Sequence, residues 1–228
     1  MRIIDYDVKK YPFKEAICKI LDIEDIRKVH KVYYDEGFKE ENYMKGLSES
    51  LQNTCFHKKF YSNVHEFLPI YTLFIRDVIA KLYSENIIYQ KIPTFRVQAV
   101  NSVSVGGKDN TLKSRNKGIV GLHRDGDYNH HLKEVNFFLP FCDVNERNTI
   151  WAESEPGKED YSPFLLKYGQ VKVWRGVELM HGNVVNNSKD SRISVDFRII
   201  LESQFECQDK KTLTQKIPFD IGGYWERI

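Results

Sequence analysis

The sequence predicts a mainly β protein, an antiparallel barrel or double-sheet jelly roll resting on a helical N-terminal layer. Three observations predict it. Apolar stripes at helical spacing are confined to about the first 90 residues. After Pro93 the pattern changes to short β-like runs broken by Gly, Asn, Asp and Pro, as far as about Glu202. No repeat, linker or low-complexity tract divides the 228 residues, a length that suits one sizeable core.

Tyr11-Pro12-Phe13 introduces a helix in which Ile17, Ile20 and Leu21 share a face. Asp22 to Glu36 sets Ile26, Val29, Val32 and Tyr33 on one stripe. Asn63 to Asn86 is the longest helical candidate, with Asn63 as its cap and Phe67, Ile70, Leu73, Phe74, Val78 and Leu82 along one face. All these stripes read as core packing. Phe95 to Val100 alternates as a strand does. Val135 to Phe141, Thr149 to Glu153, Gln170 to Trp174 and Ile193 to Leu201 are the clearest further strands. Segment 106–118 reads as a polar, mobile loop, and a polar tail follows Leu201.

Composition narrows the function classes. Net charge is +2, from 34 basic and 32 acidic residues, so nothing pushes the chain toward nucleic acid or an anionic membrane. No apolar run approaches bilayer length, and the first residues lack the apolar core of a secretory signal. Cys18, Cys55, Cys142 and Cys207 are widely spaced and form no CxxC pair. They are expected as thiols in a reducing cytoplasm.

The chemistry lies in one pattern. His123-Arg124-Asp125 supplies an imidazole and a carboxylate one residue apart; on a strand both would face one ion, with Arg124 turned away. His181 ends the run Val177-Glu178-Leu179-Met180 and is followed by Gly182. Two imidazoles and one carboxylate suit Fe(II) and leave positions open for a co-substrate and oxygen. Arg192 and Ser194 then share one strand face, where a guanidinium and a hydroxyl can grip a carboxylate. HxD alone and a lone His are weak signals; the joint order carries the information.

The stretch His123 to Ile200 resembles Fe(II)/2-oxoglutarate-dependent oxygenases, more narrowly the phytanoyl-CoA-hydroxylase-like branch and its streptomycin-biosynthesis-type members. Asn148-Thr149-Ile150-Trp151-Ala152-Glu153-Ser154-Glu155-Pro156-Gly157 is similar to the segment those families place before the second metal His. Gly169-Gln170 through His181-Gly182-Asn183 is similar to their next strand pair, and Ser191 to Arg198 to their co-substrate strand. The resemblance implies a double-stranded β-helix, with residues 1–92 as helical support, 93–202 as the jelly-roll core and 203–228 as a C-terminal tail, in one domain. It implies His123, Asp125 and His181 as iron ligands, and Arg192 with Ser194 on the far carboxylate of 2-oxoglutarate. With O2 these would hydroxylate a C–H bond. Asp125 fills the carboxylate position, so halogenation is not implied. The substrate is expected to be a polar small molecule, such as a sugar, an amino-acid derivative or a biosynthetic intermediate.

Other polar residues are candidates of lower rank. Asn136 and Gln98 each interrupt an apolar strand; either could reach the co-substrate, and Asn136 could instead bond a metal ligand or serve the structure. Arg96 shares the Gln98 face. Trp151 and Glu153 read as a packed ring and an edge carboxylate, and His130 and His131 as a solvated loop that could touch substrate. Arg198 reads as the partner of Asp196 or another acid. The rival readings are a cupin-like metal-dependent isomerase or epimerase, and a non-catalytic metal-binding module. The first does not need a buried carboxylate clamp after the second His, and the second would not need all three of His123, Asp125 and His181.

Overall fold

A computed structural model describes residues 1–35, 54–103, 118–212 and 216–228. The expected loop at 106–118 lies almost wholly outside them. The chain opens with strand β1 (Arg2–Asp5), then helix α1 (Phe13–Leu21), a 3-10 turn (Ile26–Lys28) and α2 (Val29–Asp35). Helices α3 (Cys55–Ser62) and α4 (Val64–Phe74) follow, and α4 runs on as a π turn (Ile75–Ile79) and a 3-10 turn (Ala80–Leu82). Asn63 does not cap α4 with its side chain. Its amide instead donates to the Lys59 carbonyl at 2.9 Å and closes α3. No helix among the described residues is long and apolar enough to cross a membrane.

Strands β2 (Ile87–Gln90), β3 (Thr94–Gln98), β4 (Val120–His123), β5 (Val135–Pro140), β6 (Ile150–Ala152), β7 (Ser162–Pro163), β8 (Gln170–Trp174), β9 (His181–Asn183), β10 (Arg192–Leu201) and β11 (Trp225–Arg227) complete the order. They form a seven-stranded sheet, β1-β8-β5-β10-β2-β11 with β3 also on β10, and a four-stranded sheet, β4-β9-β6-β7. Every pairing is antiparallel. The large sheet therefore takes β1 and β2 from the part expected to be helical support and β11 from the expected tail. Such strands of three or four residues are too short to show a period of two.

Alternation on β10 divides the molecule. Ile193, Val195, Phe197 and Ile199 are buried on the face that packs on α1, α3 and α4. Phe197 stacks on Phe137 of β5 at 4.7 Å between centroids, and both rings are fully buried. Burying such a ring contributes roughly 1.5–3 kcal/mol, so this layer is the main hydrophobic support of the sheet. The opposite β10 face carries Arg192, Ser194, Asp196 and Arg198. That polar face looks toward the small sheet. A second cluster, including Phe138, Ile150, Ala152, Phe164 and Trp174, fills part of the space between the sheets. A third, with Ile88, Ile200, Phe219, Tyr224 and Trp225, packs the C-terminal segment onto β2 and β10.

Candidate active site

A cavity of about 440 Å³, mouth included, opens between the two sheets and is lined by His123, Asp125, His181, Asn136, Arg192 and Arg198 among others. His123 is the last residue of β4, and His181 the first of β9, directly opposite it in register. Gly121 has a φ of 64°, in the left-handed region where a side chain is disfavoured. It sits at an irregularity between Val120 and His123, and the two imidazoles lie with ring centroids 4.3 Å apart, tilted by 52°. Gly182 allows the strands to close: a Cβ there would stand 2.6 Å from the Val120 carbonyl oxygen.

Asp125 is not on the strand. The chain stays extended through Arg124, and Asp125 opens a 3-10 turn, Asp125–Tyr128. Arg124 points away and pairs with Asp127. Asp125 Oδ1 lies 3.8 Å from His123 Nε2 and 3.7 Å from His181 Nε2. All three ligand atoms fall within 4.8 Å of one another. Atoms this close together can share one ion placed among them, with metal bonds of ~2.0–2.2 Å to nitrogen and oxygen.

The surroundings prepare these atoms. His123 Nδ1 lies 2.6 Å from the Gly121 carbonyl and His181 Nδ1 lies 2.9 Å from that of Leu179. A carbonyl only accepts, so Nδ1 carries the proton in both rings and Nε2 presents its lone pair. Burial, and then His123, push the His181 pKa down to about 3, so that lone pair is available at neutral pH. Burial alone would raise the Asp125 pKa. Arg198, followed by the imidazoles of His181, His130 and His123, outweighs it and holds the carboxyl well below its usual range. The set offers two imidazole nitrogens and one anionic oxygen, suited to a divalent transition metal such as Fe(II).

Further along β10 the cavity holds Arg192. It is only 1% exposed, its Nε and Nη1 have no hydrogen-bond partner among the described residues, and its guanidinium lies 5.2 Å over the Phe138 ring. Burial pushes its pKa down to about 10, which leaves it charged. The Ser194 hydroxyl is buried and also has no partner. Buried polar atoms are nearly always satisfied, so this pair fits an anionic group received from outside the chain.

The remaining candidates are placed as follows. Asn136 Nδ2 donates to Asp125 Oδ2 at 2.6 Å and its Oδ1 accepts from Gly176 N–H at 2.8 Å. Its amide therefore supports a metal-ligand candidate, Asp125, while the residue also lines the cavity. Gln98 is fully buried, and its Nε2 donates to the Val184 carbonyl at 2.8 Å, in the segment after β9. Arg96 lines the cavity and pairs with Asp196 at 3.0 Å. Trp151 donates from Nε1 to the Glu146 carbonyl. Glu153 is buried, not an edge residue; it holds Met180 N–H at 2.7 Å, next to His181. His130 is no solvated loop residue: it packs on Phe219 and Tyr224 and faces the fully buried Glu134 at 3.0 Å. The acid of Arg198 is Asp125, at 2.7 Å, whereas Asp196 belongs to Arg96. Sequence parity on β10 pointed to Arg198, but nothing local pointed to its partner.

Two antiparallel sheets that bring two imidazoles and one carboxylate to a point define a candidate mononuclear metal protein of the two-His-one-carboxylate type. No model of a known protein family matches the chain. It is 32% identical over 226 residues to the streptomycin biosynthesis protein StrG of Streptomyces griseus, which covers 98% of this chain and 96% of that protein. The chain belongs to the family of StrG. Solved structures give distant likenesses: the non-heme monooxygenase ThoJ in its nickel complex (12% identity, TM-score 0.45, 87% of this chain and 73% of that one), and AviO1 from Streptomyces viridochromogenes Tue57 (12% identity, TM-score 0.45, 90% and 91%). CytC3 with Fe(II) and alpha-ketoglutarate is similar at 13% identity and a TM-score of 0.35, over 82% of this chain and 69% of that one.

Proposed function

We propose that the chain is an Fe(II)- and 2-oxoglutarate-dependent oxygenase on a double-stranded β-helix, hydroxylating a C–H bond of a polar small molecule such as a sugar, an amino-acid derivative or a biosynthetic intermediate. One observation carries the reading. A fully buried guanidinium without a hydrogen-bonded acid among the described residues, Arg192, faces the same cavity as His123, Asp125 and His181. A buried charge without compensation is costly, and a dicarboxylate co-substrate would supply the missing anion. A cupin-like isomerase or epimerase, or a non-catalytic metal-binding module, gives that cation no task.

His123 Nε2, Asp125 Oδ1 and His181 Nε2 would hold the iron. Fe(II) with 2-oxoglutarate and O2 supplies the oxidising power for an unactivated C–H bond. The protein's own share is binding and placement. Arg192 takes the far carboxylate through its fork of donors, and Ser194 adds a hydroxyl donor. Leu179 and Gly121 carbonyls fix the imidazole tautomers. Ile150 and Trp174 give the cavity apolar walls that limit water. The name of the StrG relative agrees with a biosynthetic substrate.

The test is anaerobic. Fe(II) followed by 2-oxoglutarate should raise a weak visible charge-transfer band. Arg192→Ala should weaken 2-oxoglutarate binding by on the order of a hundredfold, the loss of a charge-assisted bidentate contact, and leave metal affinity unchanged. Absence of the band in metal-loaded wild-type protein, or unchanged co-substrate affinity in the variant, would overturn the assignment.

A further inference from the structure

Arg198 occupies a position that the metal-binding reading does not by itself explain. It is 5% exposed, and its guanidinium touches four elements of the chain. Nη2 and Nε donate to Asp125 Oδ2 at 2.7 and 3.2 Å. Nη1 donates to Gln90 Oε1 of β2 at 3.3 Å and to the Tyr224 hydroxyl of the C-terminal segment at 3.2 Å. Nε also lies 3.3 Å from Glu134 Oε2, a carboxylate with no exposure at all. Glu134 is itself held by His130 Nδ1 at 3.0 Å and by the His131 N–H at 2.9 Å.

We propose that Arg198 is a positioning residue that confines Asp125 to metal binding through one oxygen, and that Glu134 shares the guanidinium so that Asp125 keeps enough negative charge to serve as a ligand. This rests on the reading of His123, Asp125 and His181 as a metal site.

The geometry of Asp125 carries the first half. Its two oxygens are treated differently. Oδ2 receives three donors, Arg198 Nη2, Arg198 Nε and Asn136 Nδ2, which exhausts its capacity. Oδ1 is left toward the two imidazoles. A carboxylate with both oxygens available can close on one ion with both. That would take a further position from whatever else must bind. With Oδ2 tied down, the protein contributes three donor atoms and no more.

Charge carries the second half. A guanidinium bonded to Asp125 alone would form a neutral pair, and a neutral pair is a poor ligand for a dication. Glu134 lies on the same Nε, so one buried cation is divided between two buried carboxylates. Each buried charge depends on the others, since removal of one leaves the rest uncompensated. The anchoring by Gln90 and Tyr224 makes β2 and the C-terminal segment part of the support of the metal site, although neither supplies a ligand. Residues that orient a ligand in this way typically change metal affinity by about 10–100-fold when altered.

The experiment uses the whole chain, free of metal, titrated with Co(II), whose visible bands report coordination number. Wild type, Arg198→Lys and Glu134→Gln are compared, and thermal unfolding of each metal-free protein is recorded. Arg198→Lys keeps a positive charge but loses the fork. It should bind Co(II) about 10–100-fold more weakly and show weaker visible bands, as the second Asp125 oxygen joins the ion. Glu134→Gln is isosteric and serves if the lysine variant does not fold. It should weaken Co(II) by about tenfold without changing the bands. Equal affinity and equal spectra in the folded variants would overturn the proposal while the metal reading stood. A wild type that binds no Co(II) would overturn the metal reading and this inference with it.

Discussion

The Glu153 carboxylate reaches across the small sheet to the backbone of Met180: Oε1 accepts the Met180 N–H at 2.7 Å, one residue before His181. Its other oxygen accepts from Gly157 N–H at 2.9 Å and Glu159 N–H at 3.3 Å. A single buried acid thus ties the start of β9 to the turn after β6. Glu153→Ala would remove three hydrogen bonds accepted by a buried carboxylate, with only the half-buried Met180 amide left shielded from water, at a cost of about 1–3 kcal/mol. Urea unfolding should show that loss, and Mn(II) titration should show weaker binding as His181 loses its fixed entry.

Gly182→Ala tests how tightly the imidazole-bearing strands close. The new Cβ would stand 2.6 Å from the Val120 carbonyl oxygen and 2.8 Å from Ile119 Cγ2, so β9 must shift away from β4. Overpacking of this kind costs about 1–3 kcal/mol. The expected outcome is a lower urea midpoint together with reduced Mn(II) affinity, because His123 and His181 separate.

Arg192→Met separates stability from binding. The guanidinium is buried, and its Nε and Nη1 have no hydrogen-bond partner, so an apolar side chain of similar length should stabilise the ligand-free protein, by about 1–3 kcal/mol. The thermal shift that 2-oxoglutarate gives to metal-loaded wild type should vanish in the variant. A differential scanning measurement with and without the co-substrate checks both halves.

His57 sets a pH dependence. It is buried in α3, its Nδ1 lies 2.7 Å from Thr54 Oγ1, and its ring meets Phe95 edge-on. Burial, and then Arg96, push its pKa down to about 4. The unfolded chain takes the proton near pH ~6.5, whereas the folded protein refuses it until about pH 4, so stability is full above ~6.5 and falls as the pH drops toward 4. The gap of roughly 2.5 pH units at ~1.4 kcal/mol each corresponds to about 3 kcal/mol. Urea unfolding of the metal-free protein between pH 7 and 4 should show this slope, and His57→Phe should remove the share of His57 and leave that of His181.

Much of the site was legible because its signals are local. Arg192, Ser194, Asp196 and Arg198 share a face by strand alternation alone, and β10 presents them so. The order of His123, Asp125 and His181 was likewise readable. What escaped was set by distance in space. Arg198 and Asp125 are 73 residues apart, and the choice of Asp125 over the nearby Asp196 depends on which strand lies beside β10. Asn63 was a plausible cap by residue type, yet the adjacent end of α3 claimed its amide first. Strands β1, β2 and β11 exist only because the large sheet offered them an edge or a neighbour.

Sequence alone determined the periodicities, the change from helical to β pattern, and the residue types able to hold a metal and an anion. Tertiary structure alone decided that two sheets face one another, that Asp125 turns inward from a 3-10 turn, and that Arg198, Asn136 and Glu134 surround it. The physical reason is that alternation and helical spacing follow from each residue's own backbone geometry. Convergence of donors and charges follows from packing, where a buried polar or charged group is costly unless the fold, or a ligand, brings a partner to it.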